Sequence, residues 1–168
     1  VYKRQPDGHS TDGTLEALRQ FQRESDPEGK VKVVTCPEGQ TFWAGREEQS
    51  QAYAEAATGD YLWQVDIDEF YLPSTIEAIR AMLREDPGID GASFRWMNFW
   101  GGCDHIVRSW FLQIGGGDVN RLFRWGPGFR YSGHWTGPTS VSPDGADSRD
   151  GRWLQAGELA ERGVAMHH

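Results

Sequence analysis

The sequence predicts an α/β domain: a mostly parallel sheet flanked by helices, followed by a half rich in strands and loops. Three observations carry this. Helical and strand-like apolar periodicities alternate from residue 14 to residue 99, the pattern of parallel strands joined by covering helices. Beyond Trp100 the pattern changes to short aromatic segments between Gly-rich loops. A chain of 168 residues and 19.0 kDa, 38% apolar and 25% charged, suits one globular domain with its own core.

Taken in order, PDGHSTDGT (residues 6–14) is a loop, with Asp, Gly, Ser and Thr where turns and caps need them. It opens a helix capped by Asp12 or Gly13, with Leu15, Leu18 and Phe21 on one face. VKVVT, residues 31–35, follows as a short buried strand. A second helix covers residues 46–58, with Gly59 as its stop. YLWQVDI, residues 61–67, is the next strand. Ser74 and Glu77 make a capping-box pattern for a third helix carrying Ile76, Ile79 and Leu83, which stops at Asp86-Pro87-Gly88. Residues 91–99 alternate as another strand, and VNRLFRW and FRYSGHW supply strands later in the chain.

Composition excludes several classes. A net charge of −8 and a pI near 5.1 argue against a nucleic-acid surface, which needs clustered Lys and Arg. No run of about 18 apolar residues exists to form a transmembrane segment. Cys36 and Cys103 are a poor basis for a disulfide framework, so the cytoplasm, including the inner face of its membrane, is the expected location. Val1–Gln5 resembles a translated library adaptor and is left out of the fold expectation. Residues 6–168 are then expected to be one truncated domain whose first strand is missing.

The chemistry concentrates where residues 61–67 run into Asp66, Asp68 and Glu69. On a strand, side chains two apart share a face, so Asp66 and Asp68 would project together. Two such carboxylates repel unless a cation or donors lie between them, and hard oxygen ligands suit Mg2+, Mn2+ or Ca2+. With 13 Asp in 168 residues, about one Asp-x-Asp is expected by chance, so the triplet gains meaning only from its context. In open α/β sheets ligands bind beyond the carboxyl ends of strands, which is where Asp66 and Asp68 fall.

With these pieces together, the sequence resembles the family 2 glycosyltransferases, whose fold is called GT-A. DGHSTDGT at residues 7–14 resembles their signature loop, and Asp66-Ile67-Asp68 resembles their metal motif within ATGDYLWQVDIDEF. The likeness is strongest over residues 7–73 and weaker from NRLFRW to GHW. It implies a nucleotide-sugar-binding half at residues 6–90 and an acceptor-side half at 91–168. It further implies an inverting sugar transfer to a glycan or lipid-linked acceptor from a donor of UDP type, with Mn2+ or Mg2+ as cofactor. Asp68 would then be the principal metal ligand, Asp66 would meet the ribose or the metal, and Asp7 would bond the nucleoside. Arg46 is either a diphosphate or base contact, or an exposed helix-start residue. The general base would come from Glu69, Asp104 or Asp118, which the sequence does not separate. His134 is a third metal ligand, an acceptor contact or a structural residue, and His167 and His168 are either a C-terminal metal-binding His or without a role, as in a tag remnant. Among the eight Trp, the Trp96–Trp100 margin suits acceptor stacking, although any one indole also fits a core.

Two rivals stand beside this. One is a non-catalytic carbohydrate- or nucleotide-binding domain, a degenerate transferase. The other is a haloacid-dehalogenase-like phosphatase, which expects its Asp-x-Asp near the domain start and a Thr or Val where Phe70 stands.

Overall fold

The computed structural model describes residues 10–40, 42–107, 118–133 and 137–168, together with the backbone of residues 3–7. Strand β1 (Lys3–Asp7) pairs in parallel with β2 (Val31–Thr35), in register from Lys3 opposite Val31 to Asp7 opposite Thr35. Residues 3–7, expected as adaptor-like sequence and loop, thus form a paired strand. Residues 3–5, set aside for their likeness to a translated adaptor, pair as strand because a ladder needs backbone donors and acceptors rather than apolar side chains. Helix α1 (Thr14–Ser25) joins the two strands. Gly13 is its N-cap at φ 87°, and Asp12 Oδ1 accepts from the Thr14 amide at 3.1 Å and the Thr14 hydroxyl at 2.7 Å. None of its residues is fully buried: Leu15 and Leu18 are half-buried and Phe21 is exposed.

Helix α2 (Arg46–Glu55) stops three residues earlier than expected, and strand β3 is only Tyr61–Trp63. Helix α3 (Pro73–Glu85) starts at Pro73 with Leu72 as N-cap and no side-chain cap bond. Ser74 is therefore already inside the first turn, where proline's fixed φ is pre-set for the helix, and the capping box does not form. Then come β4 (Gly91–Met97), β5 (Asp118–Arg124), β6 (Arg130–Ser132), β7 (Thr139–Val141), β8 (Trp153–Leu154), α4 (Ala156–Glu161) and β9 (Met166–His167).

The main sheet has the order β3-β5-β4-β8, with β9 also on β4. β5 is antiparallel to both β3 and β4, whereas β8 and β9 run parallel to β4. The expected mostly parallel sheet is thus corrected to a mixed, mostly antiparallel one. The alternation had the direction right: β3 and β4 point the same way across α3. What it could not reveal is that β5, from the later half, fills the place between them.

Because side chains alternate across a strand, β5 feeds two cores. Leu122 joins Ile79 of α3, Phe94 of β4, Leu159 of α4, Val164 and Met166 on one face. Phe123 joins Ala54 of α2, Leu62, Trp125 and Tyr131 on the other. Phe94 and Phe123 are fully enclosed, each burial contributing about 1.5–3 kcal/mol. Trp63 stacks on Phe94 with ring centroids 5.4 Å apart, and Trp125 is buried, so these two indoles are core residues.

Candidate functional site

Beyond Trp63 the chain leaves the sheet. The Gln64 amide still donates to the Arg121 carbonyl at 2.7 Å, after which residues 66–69 close a turn through Glu69 N to Asp66 O at 3.1 Å. The Asp66 amide donates to Glu69 Oε2 at 3.1 Å, so the glutamate caps its own turn. This corrects the expected strand through residue 67: Asp66 and Asp68 do not share a strand face, and Ile67 is 92% exposed at the turn's tip.

The two aspartates face different partners. Arg121, on β5, donates from Nε to both Glu69 oxygens at 3.1 and 3.0 Å, again from Nη2 to Glu69 Oε1, and from Nη2 to Asp66 Oδ2 at 2.8 Å. The Glu69 and Arg121 side chains are 2% and 8% exposed, whereas Asp66 is 49% exposed. Burial alone would lower the Arg121 guanidinium, but its bonds to Glu69 and the charges of Glu69 and Asp66 outweigh that and raise it. Asp68 faces outward and meets His168 instead, Oδ2 to Nε2 at 3.2 Å. Three carboxylates against one guanidinium leave a negative surface at which Asp66 and Asp68 are the accessible members.

Behind the turn, Gln64 Nε2 lies 3.4 Å from Asp66 Oδ1, and the Tyr131 hydroxyl donates to Gln64 Oε1 at 2.6 Å. Burial pushes Tyr131 up to about 12 and raises Tyr53 and Tyr71 further, so all three are neutral hydroxyls at physiological pH.

Residues 98–107 form a second loop beside the first. Phe99 bridges Ile106, Trp100 N donates to His105 O at 3.1 Å, and Val107 N donates to Asn98 O at 2.9 Å. Trp100 is 74% exposed, and Asp104 Oδ1 lies 2.8 Å from His105 Nδ1 with both side chains in solvent. Asp118 opens β5 and faces Arg95 at 3.5 Å. Arg46 is exposed at the first residue of α2. Asp7 ends β1, and its side chain lies outside the described residues, as do His134, Trp110 and Trp135.

Among the described residues no group of three or more His, Cys, Asp or Glu is arranged to hold a metal ion. Two open hollows lie elsewhere. One of about 260 Å³ is bordered by Ser93, Asn120, Arg149 and Trp153, and one of about 390 Å³ by Asp90, Arg124 and Phe129. Neither is lined by Asp66, Asp68 or Glu69. No described helix is long and apolar enough to cross a membrane.

Sequence reasoning missed Arg121 as a site residue. Its only signal was a basic position between apolar ones in VNRLFRW, and nothing local shows that it reaches a carboxylate 52 residues away.

A mixed sheet, flanking helices and an acidic turn beyond a strand end are consistent with a GT-A-like sugar-transferase domain. The family model described as Glycosyl transferase family 2 matches residues 7–137, and the chain belongs to that family. No curated protein matches the chain. Family membership supports glycosyltransferase activity in general and sets the phosphatase alternative aside.

Proposed function

We propose that this domain is a metal-dependent inverting glycosyltransferase that uses a nucleotide-sugar donor of UDP type and a glycan or lipid-linked acceptor. The observation that carries the reading is the turn at residues 66–69, which presents Asp66 and Asp68 beyond β3 in a chain of this family.

The donor set fits a divalent cation in part. Family 2 enzymes are commonly dependent on one. Asp68 offers a largely exposed carboxylate with His168 Nε2 beside it, and Asp66 offers Oδ1, 3.4 Å from Gln64 Nε2, since Oδ2 is held by Arg121. Mn2+ or Mg2+ bound there would neutralise charge on the departing diphosphate. Asp68 is assigned the metal, Asp66 the ribose or metal, Asp7 the nucleoside and Arg46 the diphosphate or base. The acceptor hydroxyl attacks the anomeric carbon as the bond to the diphosphate oxygen breaks, and a carboxylate takes the hydroxyl proton. Glu69 suits that role least, because its oxygens are buried and held by Arg121. Asp104, exposed beside His105, and Asp118 stay as base candidates, and His134 as a metal or acceptor contact.

The alternative is a domain that binds nucleotide or sugar without turnover. One observation favours it: Arg121 occupies Asp66 Oδ2, leaving Asp68 as the less encumbered acidic ligand. Titration with UDP and Mn2+ tests the shared donor site, with binding expected to vanish in Asp68→Ala. Transfer from a panel of nucleotide sugars then separates the readings. Binding without transfer to any acceptor favours the binder, and unchanged binding by Asp68→Ala removes the metal role.

A further inference from the structure

The last strand lies between the two loops that the proposed function needs together. His167 exchanges both backbone bonds with Phe70, N to O at 3.0 Å and O from N at 2.9 Å. On its other edge the same segment pairs in parallel with β4, Trp96 opposite Met166 and Met97 opposite His167. It continues past the strand, with His168 N donating to Met97 O at 3.1 Å and Phe99 N donating to His168 O at 2.9 Å. Among the described residues no backbone hydrogen bond runs directly from residues 66–70 to residues 98–107; the connection passes through residues 166–168.

The side chains repeat this arrangement. The His167 ring stacks on Phe70 at 5.0 Å and 17°, and on Phe99 at 5.7 Å and 14°. Phe70 and Phe99 also lie nearly parallel at 5.9 Å. Next along, His168 stacks on Trp96 at 5.7 Å while its Nε2 meets Asp68. The His167 Nδ1 atom is buried without a hydrogen-bond partner. An unsatisfied buried nitrogen is a cost, so at the Nδ1 edge the position uses the flat ring and not a hydrogen bond.

We propose that Met166–His168 is a clasp, with His167 as its positioning residue, that fixes the loop of residues 98–107 against the acidic turn of residues 66–69. The clasp sets the distance between the cation-facing carboxylates and the loop bearing Trp100, Asp104 and His105. Reading that loop as acceptor-side rests on the proposed function, whereas the clasp itself rests on contacts alone.

Amide hydrogen exchange on the ligand-free full chain tests it, comparing His167→Phe with His167→Leu. Both replacements are apolar and of similar bulk, and only phenylalanine restores a flat ring. Two aromatic stacks are worth enough that their loss raises exchange at Phe99, Trp100 and Val107 by about tenfold in His167→Leu. His167→Phe holds wild-type exchange at the same amides. Phe94 and Leu122, inside β4 and β5, stay protected in both. The clasp is overturned if both variants match wild type, if both rise together, or if the core amides rise along with the loop. The UDP and Mn2+ titration is independent: its failure would remove the UDP-type, metal-dependent donor site and leave the exchange result standing.

Discussion

Arg121 reaches from the middle of β5 to close on Glu69, and the two form a buried ion pair beneath the turn that carries Asp66 and Asp68. The pair is structural: it neutralises a carboxylate that would otherwise sit enclosed, and it fixes the turn's backbone through the Asp66 amide.

Removing one partner leaves the other charge enclosed. Arg121→Met is expected to cost about 3–5 kcal/mol in urea unfolding. The double variant Arg121→Met, Glu69→Leu should recover much of that loss, because no charge is then stranded. A double variant as unstable as the single one would show that the turn needs the ion pair for its shape.

Asp68 is largely exposed, so its loss should touch binding and not folding. Asp68→Ala is expected to abolish detectable UDP binding in Mn2+, a loss of well over tenfold, or more than about 1.4 kcal/mol. Its unfolding free energy should stay within about 0.5 kcal/mol of wild type. Calorimetric titration and thermal unfolding of the same preparation give both numbers.

Gly91 is required for contact, not for its φ. A Cβ there would lie 2.6 Å from Cη2 and Cζ2 of Trp153, whose Nε1 is pinned to Ser148 O at 2.6 Å. The indole cannot swing away without breaking that bond, so Gly91→Ala should cost about 1–3 kcal/mol. Chemical denaturation checks this, and a value near zero would mean that the β8 edge is softer than its hydrogen bonding implies.

Alkaline pH should loosen the fold. Tyr53, Tyr71 and Tyr131 are all raised by burial, Tyr131 to about 12, from an ordinary 10.0. In the interval above pH 10 the unfolded chain has lost protons that the native state keeps. Stability is therefore full below about pH 10 and falls as pH rises toward and through the native values. Tyrosinate absorbance should report these three ionising late and together with unfolding. Early, reversible ionisation of all five tyrosines would contradict their burial.

The local elements of the first half were legible. Leu15 and Leu18 at helical spacing, the Ala-rich stretch before Gly59 and the Ile76–Ile79–Leu83 face each gave a helix close to its observed span. Strand partners were not legible, because pairing is set by residues far apart in the chain. VNRLFR reads as a strand, but nothing in it says that it separates Tyr61–Trp63 from Gly91–Met97. The acidic turn was found but misjudged as strand, since VDID alternates as a strand would, whereas Glu69 bonding the Asp66 amide bends it. Roles for Asp104 and Asp118 stayed undivided because a base is chosen by distance to a reacting hydroxyl, which spelling does not encode.

The late placement of β5 has a consequence for synthesis. A nascent chain leaving the ribosome N-terminal end first exposes Glu69 well before Arg121 exists, and the slot between β3 and β4 stays vacant meanwhile. Closure waits for a contact spanning 52 positions, which puts this protein among topologies that assemble slowly and show unpaired strand edges on the way. Any shortened form ending before residue 121 would carry the acidic turn without its counter-charge, and holdase chaperones would find their substrate there.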